Sequence, residues 1–240
     1  MTKINAKTLL DFIKKVSING SITDGILKFG PEGLVVTLKD ITMTGATTGL
    51  LKISNFTEYH EMNVPIKNMS TLISILGTMN GTIELSRQGE NIFHISSSGI
   101  DADLIIPDEQ FLECNLEELP TLAHDGGFEV DSAIWTNVKK STQILGTSKI
   151  GVIAEVKDRI LYVRTGEDNF NKITIKTSAD YKDVIGKYGC TFLEFISVIT
   201  GRVNISFNND YPMLIVSKDT DSVIKWMVSP VSPVDEVQTS

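Results

Sequence analysis

The chain has 240 residues, 41% hydrophobic and 22% charged, with a formal net charge of −8. That composition excludes a disordered polar tail or a membrane bundle: no apolar run reaches the ~18 residues of a spanning helix, and a chain this long buries roughly 70–75% of its unfolded surface. Cys114 and Cys190 have no CxxC spacing, so a disulfide framework is excluded; with no signal-peptide core at the N-terminus, a soluble protein of a reducing, intracellular compartment is expected.

Apolar periodicity predicts a first helix over 6–18, with Leu9, Leu10, Phe12, Ile13 and Val16 on one arc and Lys7, Thr8, Asp11, Lys14 and Lys15 on the other. Strands follow over 22–29 and 33–39, joined by Gly30-Pro31-Glu32-Gly33, where Pro fixes φ and Gly permits φ > 0. A second helix over 66–76 buries Met69, Leu72, Ile73 and Leu76 and shows Lys67, Ser70, Thr71 and Ser74. Strands 82–87 and 91–97 pair around Gln88-Gly89-Glu90, the chain bends at Gly99, and a strand over 100–106 stops at Pro107. A third helix is expected over 131–145, with Ile134, Val138 and Leu145 opposite Ser132, Thr136, Lys139, Lys140 and Gln143. Strands 150–157 and 159–165 meet at Lys157-Asp158, and 170–178 is the counterpart of 100–106. The fourth helix, 191–200, is mostly apolar, with Glu194 on its narrow polar side. Strands 203–208 and 211–218 turn at Asn209-Asp210, and 223–229 finishes the sheet.

The order helix, strand, turn, strand therefore occurs four times. Thr8, Met69, Ala133 and Phe192 mark its comparable points, and such a fixed period identifies an architecture before any single residue does. Four units divide into two pairs, an α+β chain of two similar domains. Charge is distributed unevenly over them. Windows 3–18, 65–80, 130–149 and 187–203 hold ten basic and three acidic residues, +7, against −15 for the remainder. A basic helical surface on an acidic body is what a polyanion partner would need.

Residues 107–129 have a different character. Pro107, Pro120, Gly126, Gly127 and seven acids mark a linker, yet Phe111, Leu116, Leu119 and Leu122 are more than an idle linker requires. They serve to anchor it to a sheet, to dock a partner, or both. No catalytic constellation emerges. Asp101/Asp103 and Asp219/Asp221 are the carboxylate pairs that a Mg²⁺-dependent nuclease could use, but the first fits a solvated strand face and the second a turn. His60, His94 and His124 lack zinc spacing, and Gly146-Thr147-Ser148-Lys149 lacks the order of a phosphate-binding loop. No metal, cofactor or enzymatic activity is expected.

Several segments resemble the DNA sliding clamps of the proliferating cell nuclear antigen type. They are 24–40 with its Pro31-Glu32-Gly33-Leu34 turn, Leu116-Glu117-Glu118-Leu119-Pro120, Arg202-Val203-Asn204-Ile205-Ser206, and Tyr211-Pro212-Met213 followed by 224–230. The resemblance spans nearly the whole chain. It implies two clamp domains, 1–107 and 130–230, each with two helices packed on antiparallel sheets, a connecting linker over 108–129 and a flexible tail over 231–240. Three copies would form a closed, pseudo-sixfold ring, the strand near 100–106 continuing into the strand near 172–178 of the next chain.

Positions carried over from the family give DNA-facing roles to Lys7, Lys14, Lys15, Lys67, Lys139, Lys140, Lys149 and Arg202. They give a partner-docking pocket of Met43, Leu116, Leu119, Pro212, Met227, Ser229 and Pro230. The implied partners are duplex DNA held without regard to sequence, DNA polymerase and other proteins bearing clamp-binding peptides, an ATP-dependent loader, and two further copies of the chain. Lys39, where an apolar pocket residue is usual, and Met227, where an aromatic is usual, depart from the family pattern. The fourth helix also lacks the basic residue that relatives often carry near Val198. The rival reading is a monomeric processivity factor that holds DNA without encircling it; a nuclease is the remote third.

Overall fold

The computed structural model describes residues 1–124, 126–145, 151–166, 171–189, 191–209 and 211–231. The chain divides into two compact units. The first is Met1–Ile41, Ala46–Leu119 and Lys218–Ile224; the second is Thr42–Gly45, Pro120–Ser217 and Lys225–Ser240.

In the first unit the order is β1 (Thr2–Asn5), α1 (Ala6–Val16), β2 (Gly25–Gly30), β3 (Gly33–Lys39), β4 (Gly45–Lys52), β5 (Phe56–Glu58), β6 (Met62–Ile66), α2 (Met69–Thr78), β7 (Thr82–Gln88), β8 (Ile92–Ser97) and β9 (Ile100–Ile105). The second unit repeats the plan with β10 (Phe128–Asp131), α3 (Ala133–Leu145), β11 (Val152–Lys157), β12 (Ile160–Gly166), β13 (Lys172–Ser178), β14 (Val184–Tyr188), α4 (Thr191–Ile196), β15 (Arg202–Ser206), β16 (Met213–Lys218) and β17 (Ser222–Val228), the first residues of β17, to Ile224, falling in the first unit. Each of the four repeats is thus a short strand, a helix and a three-strand meander.

Sequence periodicity finds the helices and most of the meanders but none of the four leading strands, β1, β6, β10 and β14. These are only four or five residues long, and their partners are remote. β1 pairs with β7 and β6 with β2, so the two repeats of the first unit exchange their leading strands. In the second unit β10 pairs with β15 and β14 with β11. The exchange interlocks the two repeats of each unit, which an isolated repeat could not achieve.

Helix limits are set by capping. Asn5 Oδ1 accepts from the Lys7 and Thr8 amides at 3.0 and 3.3 Å, and Asn68 Oδ1 from Thr71 at 2.9 Å. The Asn68 cap delays α2 to Met69, and Ile66, expected in that helix, belongs to β6. α1 ends at Val16 rather than Ile18, since Ile18 and Asn19 adopt positive φ. α4 ends at Ile196, not Thr200. The Gly33 turn (φ +132°) and the Gly99 bend (φ +88°) form as expected.

α1 and α2 pack on each other, and Phe12 and Val16 of α1 lie against Gly49 of β4. In the second unit Ser141 of α3 shares a 2.7 Å hydroxyl hydrogen bond with Thr165 of β12, and Trp135, Tyr188, Phe192 and Phe207 form an aromatic cluster. β9 ends the sheet β5-β1-β7-β8-β9, and β13 ends the sheet β13-β12-β11-β14. No described helix is long and apolar enough to cross a membrane.

Candidate nucleic-acid interface and docking surface

The cations expected to face DNA do not share one environment. Lys7 on α1 and Lys139 and Lys140 on α3 are exposed, and Lys14 is half-buried on α1. Among the described residues these four enter no ion pair. Lys15 lies 3.6 Å from Asp219, and Arg202, on β15 rather than a helix, holds Glu129 at 3.0 Å. Lys149, together with the rest of Gly146-Thr147-Ser148-Lys149, lies outside the described residues, as does 232–240 of the expected tail.

Lys67 has a specific alternative role. Its Nζ donates to the Phe111 carbonyl at 2.7 Å and approaches Asp24 Oδ2 at 3.7 Å. Asp24 is 2% exposed, and its Oδ1 accepts the Cys114 amide at 2.8 Å. Beside this latch the segment runs antiparallel to the end of β3: the Lys39 amide donates to Cys114 O at 2.8 Å and the Leu116 amide to Thr37 O at 3.2 Å. The anchoring role considered for the linker is therefore real for residues 111–116. The one signal in the sequence for Asp24 is an acid directly before an apolar strand.

Redistribution of these side chains changes the charge reckoning. Lys3 is on β1, salt-bridged to Glu58 at 2.8 Å and Glu84 at 3.2 Å; these hydrogen bonds raise its pKa. Lys187 is on β14. The described helices themselves carry Lys7, Lys14, Lys15, Lys139 and Lys140 against Asp11 and Glu194. Their excess is +3 rather than the +7 of the sequence windows, because the windows also took in Lys3, Asp131, Lys187 and Arg202 on strands, Lys67 ahead of α2, and Lys149, which lies outside the described residues.

Of the residues expected to dock partners, Leu116 and Leu119 belong to the first unit and the other five to the second. Within the second unit a chain of contacts links four of those five. Met43, 66% exposed with φ +57°, precedes Thr44, whose carbonyl accepts the Ser229 amide at 2.8 Å. Pro230 bridges to Tyr188, whose hydroxyl donates to Tyr211 O at 3.4 Å, next to Pro212. Met227 is half-buried on β17. Tyr188, absent from the sequence-derived set, connects the two ends of this surface.

The carboxylate pairs lie where the sequence suggests. Asp101 and Asp103 are exposed on β9, and His94 Nδ1 donates to Asp103 at 2.7 Å. Asp219 and Asp221 flank the turn between β16 and β17. Among the described residues no three His, Cys, Asp or Glu side chains are grouped to hold a metal ion.

No family model matches the chain, and no curated protein does. Solved structures do match, over almost its full length. A proliferating cell nuclear antigen of A. fulgidus, in a structure with the C-terminal region of FEN-1 bound, superposes with TM-score 0.79 at 13% identity, covering 97% of this chain and 99% of its own. The protein of the same name from Entamoeba histolytica gives 0.79 at 17% identity, covering 96% and 98%. The PCNA2–PCNA3 complex of Sulfolobus tokodaii gives 0.73 at 15%, covering 95% and 98%. The chain has the sliding-clamp fold. At these identities the clamp likeness is one of architecture, and it accounts for the fourfold repeat, the exchanged leading strands and the two-unit length together.

Proposed function

We propose that the chain is a DNA sliding clamp and processivity factor: three copies close into a ring around duplex DNA and tether DNA polymerase and other replication proteins. The observation that carries this reading is that α1 in the first unit and α3 in the second each present cations that enter no ion pair among the described residues, within a fold matched end to end by clamps. Lys7, Lys14, Lys139 and Lys140 would meet the phosphates, which carry about one charge per 1.7 Å of axis. Contacts to phosphate alone position without reading sequence, as sliding requires. Lys15 and Arg202 would contribute only by leaving Asp219 and Glu129, and Lys67 is assigned instead to the linker. Lys149 stays in the DNA-facing set on resemblance alone.

The ring closes head to tail through β9 of one copy and β13 of the next, which satisfies two strand edges that would otherwise invite aggregation. Residues 1–107 and 130–230 act as the two clamp domains, 108–129 connects them and 231–240 is a tail. Met43, Pro212, Met227, Ser229 and Pro230 form the docking surface for partner peptides, with Leu116 and Leu119 of the connecting segment as further contacts. A ring has no way onto closed DNA unaided, so an ATP-dependent loader is required, the chain itself supplying no catalysis. No membrane partner is involved.

Light scattering over a concentration series tests the assembly. A mass three times that of the 26.4 kDa chain supports the ring. A persistent monomer that binds linear DNA at low salt favours the open processivity factor, which needs no loader and does not run off free ends.

A further inference from the structure

β9 and β13 are alike in pattern and opposite in charge. On the core side β9 carries Ala102 and Leu104, opposite the buried Ile95 and Phe93, and β13 carries Ile173, Ile175 and Thr177. On the outward side β9 presents Asp101 and Asp103, with side chains 74% and 62% exposed. The outward side of β13 presents Lys172, Thr174 and Lys176, all exposed. Beside that edge an open groove of about 580 Å³ is lined by Lys172, Thr174 and Lys176 with Tyr162, Arg164, Lys157 and Glu155. The acid in the groove is already neutralised, because Glu155 is ion-paired with Arg164. Lys176 Nζ lies 5.2 Å over the Tyr162 ring, which orients its ammonium.

We infer that these four charges form a partner code: Asp101 and Asp103 of one copy are matched by Lys172 and Lys176 of another, so that each edge accepts a second copy of this chain in one direction only. The inference rests on the ring reading above and deepens it. Edge pairing by backbone hydrogen bonds is indifferent to sequence, so side chains must decide which edges meet. Pairing β9 with β9 would set aspartates against aspartates, and β13 with β13 lysines against lysines; directly opposed like charges destabilise a strand pair. Pairing β9 with β13 puts opposite charges on the outward face and aliphatic residues on the core face at once. A one-residue slip would turn both sets to the wrong side. His94, donating to Asp103, leaves that carboxylate a second oxygen for a lysine.

Charge reversal tests the code by light scattering on the full chain, with circular dichroism to establish folding. Asp101→Lys with Asp103→Lys makes both edges basic, and Lys172→Glu with Lys176→Glu makes both acidic. Each double variant should associate about 100-fold more weakly than the parent and run as a monomer where the parent is a trimer. The quadruple variant should recover the trimer, which excludes misfolding as the cause. A mixture of the two double variants should give open alternating chains that lengthen with concentration, from dimers at twice the 26.4 kDa chain mass upward, with no plateau at the trimer mass, because two alternating partners cannot close a ring of three. A double variant that remains trimeric, a folded quadruple variant that remains monomeric, or a mixture whose mass plateaus at three chains as concentration rises would each overturn the code while leaving the ring in place. A parent chain that never exceeds the monomer mass would instead overturn the ring reading, and the code with it.

Discussion

Replacing Asp24 with alanine should release the connecting segment from the first unit. The carboxylate is 2% exposed and the Cys114 residue it caps is 0% exposed, so the Cys114 amide would lose its 2.8 Å acceptor with no water to replace it. Leaving a buried donor unsatisfied costs ~1–3 kcal/mol. The Lys67 contact at 3.7 Å is half open to solvent, and its loss adds less than ~1 kcal/mol. A total near ~2–3 kcal/mol corresponds to roughly 30- to 150-fold faster exchange of the Cys114 amide if opening is local. Asp24→Asn keeps an acceptor at Oδ1 and should retain most of the protection, losing only the small ionic part. Hydrogen exchange on peptides covering 111–116, with β8, which pairs only with β7 and β9, as internal reference, measures both. Equal acceleration in the two variants would mean that charge, not the capped amide, holds the segment; no acceleration in either would refute the latch.

The hairpin between β11 and β12 turns on Asp158 and Arg159, at φ +50° and +60°, the geometry for which Asn-Gly is preferred. Asp158→Asn with Arg159→Gly should raise stability by about 1 kcal/mol and the thermal midpoint by roughly 2–4 °C, as followed by circular dichroism. Burial, with a contribution from Glu61, raises the Tyr59 pKa from 10.0 to about 12. The native state therefore holds that proton, and the stability it contributes is complete below pH 10 and lost as pH rises toward 12. Tyr59→Phe, which also removes the 2.8 Å bond to Gly30 O, should flatten the stability curve over that same interval in urea titrations. Lys139→Gln with Lys140→Gln should reduce the salt slope of DNA retention by about 0.9 per lysine. Lys67→Gln should leave that slope unchanged in the same anisotropy series, and an equal fall in both would return Lys67 to the DNA-facing set.

What the sequence determined by itself is local. Residues 6–16 alternate apolar and polar with helical period, and Gly33 and Gly99 can turn the chain, so helices, hairpins and the fourfold plan were legible, whereas the Asn68 cap that sets the start of α2 was not. The aspartate pair at 101/103 was visible too, but only as a carboxylate pair on a strand face, and nothing in the sequence singled out the lysines at 172 and 176. Tertiary structure decided the rest, because it depends on groups distant along the chain. The leading strands β1, β6, β10 and β14 are too short to show a period and exist only because a remote repeat supplies their hydrogen-bond partners. Lys67 looked like any helix-start lysine until Phe111 and Asp24, both remote in the chain, were brought to it. A charge window cannot tell a helix face from the strand or turn beside it, which is the larger part of why +7 became +3. Composition and periodicity are properties of neighbours in sequence, whereas a capped amide, a satisfied ion pair or an open strand edge is a property of neighbours in space.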